Sequence, residues 1–245
     1  MFTKWLRGSE TRELTMYFII ILMSLVSLNA HADDVVDRVY SPHVLPFEND
    51  IEWRMMSRQN DEGNDLLQRV AFGTALSENI ITEVFLVGER NDRDDFELSS
   101  YEVEVRWMLT EQGEYPSDWG ILLEVEKQHR KDSWEVSFGL LNEWELGVTS
   151  LRSNAIVKHL WGSARNQGAN TEAELRLQWR YRLSPALQPA LELYSDRNYF
   201  GIGPAIIGEK HISPREFWNW ELAFVKGLNG QSKDHTLRAV IEYKF

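Results

Sequence analysis

Apolar and polar residues alternate strictly over long parts of this chain. In the clearest run, Ala173, Leu175, Leu177, Trp179, Tyr181 and Leu183 alternate with Glu172, Glu174, Arg176, Gln178, Arg180 and Arg182. A second run sets Tyr101, Val103, Val105, Trp107 and Leu109 against Ser100, Glu102, Glu104 and Arg106. A third sets Trp119, Ile121, Leu123 and Val125 against Gly120, Leu122, Glu124 and Glu126. A strand side chain changes face at every residue, so each run makes one apolar wall and one charged wall. A helical reading gathers no consistent apolar stripe from the same residues. Twelve such runs are expected, over 49–59, 66–76, 80–90, 97–109, 118–129, 133–141, 146–160, 171–182, 187–195, 199–209, 216–226 and 235–245. Their length suits a tilted strand crossing a bilayer. The third, seventh and tenth runs have ambiguous registers, which leaves the strand count open by two.

The final run, Leu237 to Phe245, places Leu237, Ala239, Ile241, Tyr243 and Phe245 on one face. Arg238, Glu242 and Lys244 lie on the other, with Val240. This ending resembles the C-terminal recognition strand of Gram-negative outer-membrane β-barrels. The resemblance implies an all-β fold: a single antiparallel transmembrane β-barrel of about twelve strands over 49–245. It also implies as partners outer-membrane lipid and, during biogenesis, the barrel-assembly machinery and periplasmic chaperones. The stretch Leu183-Ser184-Pro185-Ala186-Leu187-Gln188-Pro189-Ala190-Leu191-Glu192 loosely resembles the barrels grouped with phenol-degradation-pathway transporter-like proteins. That likeness implies passive transport of small molecules and no catalytic residues.

The other end fits an exported protein. Tyr17 to Leu28 is a short apolar run preceded by Lys4, Arg7 and Arg12 and followed by Ala30-His31-Ala32. It is too short for a spanning helix and has the layout of a signal peptide over 1–32. Residues 33–48 hold Pro42 and Pro46 and form either a periplasmic segment or a plug in the lumen. Their acidic start tips the expectation toward the periplasm.

With both termini in the periplasm, Trp107, Trp119, Trp179, Tyr181, Trp218, Trp220, Tyr243 and Phe245 fall at the periplasmic ends of their strands, on the apolar faces. Trp and Tyr favour the membrane–water boundary, so these are expected as interface aromatics. Alternation by itself also fits a β-sandwich with aromatics in its core. The clustered aromatic ends and the terminal Phe select the barrel.

The net charge is −12, and losing the signal removes three bases and two acids. An acidic balance argues against nucleic acid as a partner. The absence of Cys is compatible with export without disulfides. Twelve strands give a backbone radius of about 12 Å, of which wall side chains fill about half. Lumen-lining candidates are Glu102, Glu104, Arg106, Glu124, Glu126, Glu172, Glu174, Arg176, Arg180 and Arg238. Two uses of this face stay open. A charged wall selects small polar solutes in a passive, porin-like channel. Alternatively, Arg–Glu pairs lock a closed structural barrel.

A third reading, a lipid-modifying outer-membrane enzyme, has little support. No nucleophile elbow or His-Glu-x-x-His pattern occurs, and His129, His159 and His235 sit at outer strand ends without a local partner motif. His129 or His159 bonded to both a Ser hydroxyl and a carboxylate would revive it. No enzyme activity, cofactor or metal is expected. Solute identity and oligomeric state are not written in the sequence.

Overall fold

A computed structural model describes residues 36–60, 63–90, 95–165, 169–229 and 234–245. The expected signal peptide lies outside them. The described chain is all-β, with twelve strands: β1 (Asn49–Asn60), β2 (Gly63–Ala75), β3 (Ile80–Arg90), β4 (Phe96–Met108), β5 (Ser117–Gln128), β6 (Trp134–Leu146), β7 (Thr149–Trp161), β8 (Asn170–Tyr181), β9 (Gln188–Ser195), β10 (Phe200–His211), β11 (Phe217–Gly227) and β12 (His235–Lys244). Each pairs antiparallel with its sequence neighbours, and β1 pairs with β12, closing the barrel. Closure leaves no strand edge to template aggregation. The seam runs from Asp50 opposite Lys244 to Gln59 opposite His235. Beyond it, Asn49 and Phe245 exchange backbone hydrogen bonds of 3.0 and 2.8 Å.

The alternation resolves into an outside and an inside. Val70, Phe72, Val84, Leu86, Val103, Leu123, Val125, Phe138, Leu140, Val157, Leu191, Leu222, Phe224 and Ile241 are exposed on the outer wall. Glu52, Arg54, Glu102, Glu104, Glu143, Gln178, Glu192, Arg238 and Glu242 are buried inside. Water-soluble sandwiches have the opposite sense. A charge at Val103 tests this directly. In lipid near the midplane, Val103→Arg is expected to cost about 2–4 kcal/mol. On a hydrated outer surface the same change would be near neutral. Urea unfolding of the protein reconstituted in lipid vesicles reads the difference.

The interior is not purely polar. Met56, Leu67, Ala71, Phe85 and Val87 form one inward apolar cluster, and Tyr40, Leu122, Leu141 and Ile156 another. They fix the register of β3, where Ile81, Glu83, Phe85 and Val87 point inward. Two expected boundaries shift. Strand β6 runs on to Leu146, which brings Glu143 onto the inner face. Strand β8 ends at Tyr181, and Arg182 beyond it pairs with Glu145 near the turn between β6 and β7.

All eight expected aromatics sit on outward positions at the end of the barrel that carries both β1's start and β12's finish. Trp218 and Tyr243 lie 4.8 Å apart between ring centroids, and Tyr243 and Phe245 5.5 Å apart. At the opposite end Trp134 stacks on Trp161 at 6.3 Å, nearly coplanar.

Candidate functional site: a charged lumen and its internal segment

The described residues before β1 occupy the lumen. This departs from the expectation that an acidic start keeps 33–48 in the periplasm. The acid responsible, Asp37, finds cations inside. Arg54 Nη1 donates to its Oδ1 at 2.6 Å, while Arg69 and Arg176 each lie 3.5 Å from Oδ2. Burial by itself would raise the Asp37 carboxyl. The attraction of Arg54, Arg69 and Arg176 outweighs it and holds the group well below the usual carboxylate range. The next residue carries the opposite charge to acids of the wall. Arg38 donates to Glu52 at 2.6 Å, Glu221 at 3.0 Å and Glu242 at 3.0 Å. The Asp-Arg pair thus ties the segment to β1, β2 and β8 through one residue and to β1, β11 and β12 through the next.

The segment then descends toward the end of the barrel where β1 starts and β12 finishes. Tyr40 is buried and exchanges backbone hydrogen bonds with the Asn154 amide, at 2.7 and 2.9 Å. Ser41 Oγ donates to Glu143 at 2.9 Å, and His43 Nε2 lies 2.8 Å from Asp118. The Pro46-Phe47 turn, with Phe47 in the left-handed region at φ 61, brings the chain round into β1.

The ten lumen-lining candidates all lie on the inner face, but their surroundings differ. Arg238, fully buried, donates to Glu192 at 2.8 Å and Glu221 at 3.0 Å, and also reaches the Tyr194 hydroxyl and the Asp37 carbonyl. Arg106 meets Glu83 at 2.7 Å and Glu104 at 3.1 Å. Arg69 meets Glu102 at 3.1 Å. Arg180 meets Glu143 at 2.9 Å. Arg176 pairs with Glu174 and donates to the Arg38 carbonyl at 2.9 Å. These residues, with the segment, fill mid-height and the half below it. Glu126, Glu172 and Glu174 instead line a chamber of about 440 Å³ in the other half. Arg58, Arg69, Arg90, Lys158 and Arg165 also line it.

Sequence reasoning missed Asp37, Arg38 and Tyr40, because nothing local marks an irregular segment as a lumen resident. It also missed Glu83 and Glu143, which lie in runs of ambiguous register or boundary.

The histidine geometry bears on catalysis. His129 Nδ1 faces the Tyr101 hydroxyl at 3.2 Å, and His159 Nδ1 faces the Thr171 hydroxyl at 2.9 Å. Neither contact supplies the Ser-plus-carboxylate pair that would revive the enzyme reading. His43 does lie between Ser41, at 3.2 Å from Nδ1, and Asp118. The Ser41 proton, however, is directed to Glu143. These contacts tie the segment to Asp118 on β5 and Glu143 on β6.

No protein-family model matches the chain, and no curated protein matches it in sequence. Solved structures do match in shape. An outer membrane channel from Pseudomonas putida F1 superposes with a TM-score of 0.54 at 11% identity, covering 86% of this chain and 100% of that one. The KdgM porin gives 0.52 at 10% identity, covering 80% and 99%. This chain has the fold of a Gram-negative outer-membrane β-barrel. The translocator domain of the autotransporter NalP from Neisseria meningitidis also superposes, with a TM-score of 0.51 at 11% identity, covering 97% and 98%. The barrel therefore shares its shape with proteins described as porin, channel and translocator, and function has to be argued from its lumen.

Proposed function

We propose that this outer-membrane barrel is a passive channel for small polar solutes, lying in the bacterial outer membrane with the aromatic band at the periplasmic boundary. The observation that carries the reading is the charged chamber of about 440 Å³ inside the closed wall, above the segment. A barrel serving only as a scaffold would be expected to fill this volume, because interiors pack densely. Here the space is lined by Arg, Lys and Glu and suits water and polar solutes. Below it, Asp37 and Arg38 tie the segment to the wall.

The lumen also favours cations. Among the described residues, the buried acids outnumber the buried bases fourteen to six, and acids still lead after Arg38, Arg152, Lys158, Arg180 and Lys244 are added. Fixed negative charge in a low-dielectric tube raises the local cation concentration.

Planar-bilayer recording of the mature protein tests the proposal. Discrete conductance steps above leak are expected, with a reversal potential in a KCl gradient that favours K⁺. A barrel that inserts and stays silent at all voltages would return the lumen to the closed, salt-bridged reading.

A further inference from the structure

On adjacent strands β4 and β5, Glu102 lies directly opposite Glu126, and Glu104 directly opposite Glu124. Across the next pairing Glu126 also faces Glu135. Like charges opposite one another in a sheet repel, so two consecutive pairs of this kind require compensation. Part of it is present: Arg69 takes Glu102, Arg106 takes Glu104, and Lys158 lies 3.8 Å from Glu135 and 3.5 Å from Glu174. Among the described residues no hydrogen bond or ion pair reaches Glu124, although only 9% of its surface is exposed. One oxygen from each of Glu102, Glu124 and Glu126 lies within 4.8 Å of the other two. Glu126 opens this cluster to the charged chamber.

We infer that Glu102, Glu124 and Glu126 bind one divalent cation, of the calcium class, at the floor of the chamber. Calcium takes carboxylate oxygens at about 2.3–2.6 Å, so two oxygens on one ion lie at most about 5 Å apart. The three glutamates meet that limit, and their hard oxygen donors suit calcium or magnesium better than softer metals. As Arg69 does at Glu102, cationic side chains also enter the other carboxylate groupings inside the barrel: Lys244 lies against Glu48 and Glu242, and Arg38, Arg54 and Arg106 serve Glu52, Glu83 and Glu242. Glu124 is a buried carboxylate with no such contact among the described residues, and its neighbour Glu126 opens to the chamber from which an ion can enter. The inference rests on the water-filled chamber proposed above but not on conduction, so binding is measured directly.

The mature protein, stripped of divalent ions by chelator and of lipopolysaccharide by detergent exchange, is titrated with CaCl₂ in a calorimeter and melted with and without calcium. One saturable site per chain and a calcium-dependent rise in melting temperature are expected. Glu124→Gln should weaken binding about tenfold or more, since one of three charged ligands is lost. The same variant, melted in chelator, should be at least as stable as the parent, because the repulsion has been relieved. Glu209→Gln, on the exposed end of β10, should bind like the parent. If Glu124→Gln does not fold, Glu126→Gln carries the comparison. Absence of saturable uptake at millimolar calcium, or uptake equal in the parent and the variants at 124 and 126, would overturn the site. A silent bilayer with intact calcium binding would sink the channel and leave the site standing.

Discussion

Replacing Asp37 by Asn and Arg38 by Gln together is expected to raise single-channel conductance several-fold. Asp37 faces Arg54, Arg69 and Arg176, and Arg38 faces Glu52, Glu221 and Glu242. These two residues carry the ionic attachment of the segment at mid-height. Asn keeps the shape of Asp and Gln is a shorter neutral amide; both lose the charge-assisted hydrogen bonds, which are roughly twice as strong as neutral ones. The segment then spends more time away from mid-height, and the bare charges left on the wall draw in water. The measurement is the step size in 1 M KCl for parent and variant, beside a check that both migrate as folded barrels in unheated gels. Equal step sizes would mean that this contact does not limit flow. A deletion of residues 36–47 should act in the same direction and by more.

The second large effect concerns stability. Arg238→Ala is expected to lower unfolding free energy by about 3–5 kcal/mol, the range for removing one partner of a buried ion pair. Arg238 holds Glu192 on β9 and Glu221 on β11, and it also touches Tyr194 and the segment backbone at Asp37. Its loss leaves the buried Glu192 without a cationic partner, leaves Glu221 with Arg38 alone, and takes one of two donors from the Asp37 carbonyl. Arg182→Ala provides the contrast. Arg182 pairs with Glu145 at a turn where both side chains are about one-third exposed. Water already solvates that pair, so its loss should cost less than about 1 kcal/mol. Chemical unfolding in lipid vesicles compares the two. Similar costs for both variants would show that the lumen is wet enough to screen its charges, and would weaken the account of a tightly tied segment.

The strands were legible from local pattern because inward and outward positions alternate at every residue, and that period needs no knowledge of the rest of the chain. Val103 and Glu104, or Leu175 and Arg176, declare their faces by themselves. Apolar inward residues such as Phe85, Leu122 and Ile156 break the rule. They blurred β3 and part of β7, since an apolar residue on either face reads the same in sequence. Glu143 was lost for a related reason: the run of β6 continues past Leu141 through Asn142, which interrupts the apolar signal.

What the sequence determined, then, is the antiparallel strand architecture to within two strands, which wall is oily, and where the aromatic rings gather. Tertiary structure decided where residues 36–48 go and which charges meet. Arg38 lies 183 positions from Glu221, and Arg238 lies 201 positions from Asp37. Such partners are set by the closure of β1 on β12, which brings the walls around the segment. A strand's facing is a property of a few neighbouring residues, whereas an ion pair across a lumen exists only once the ring is complete.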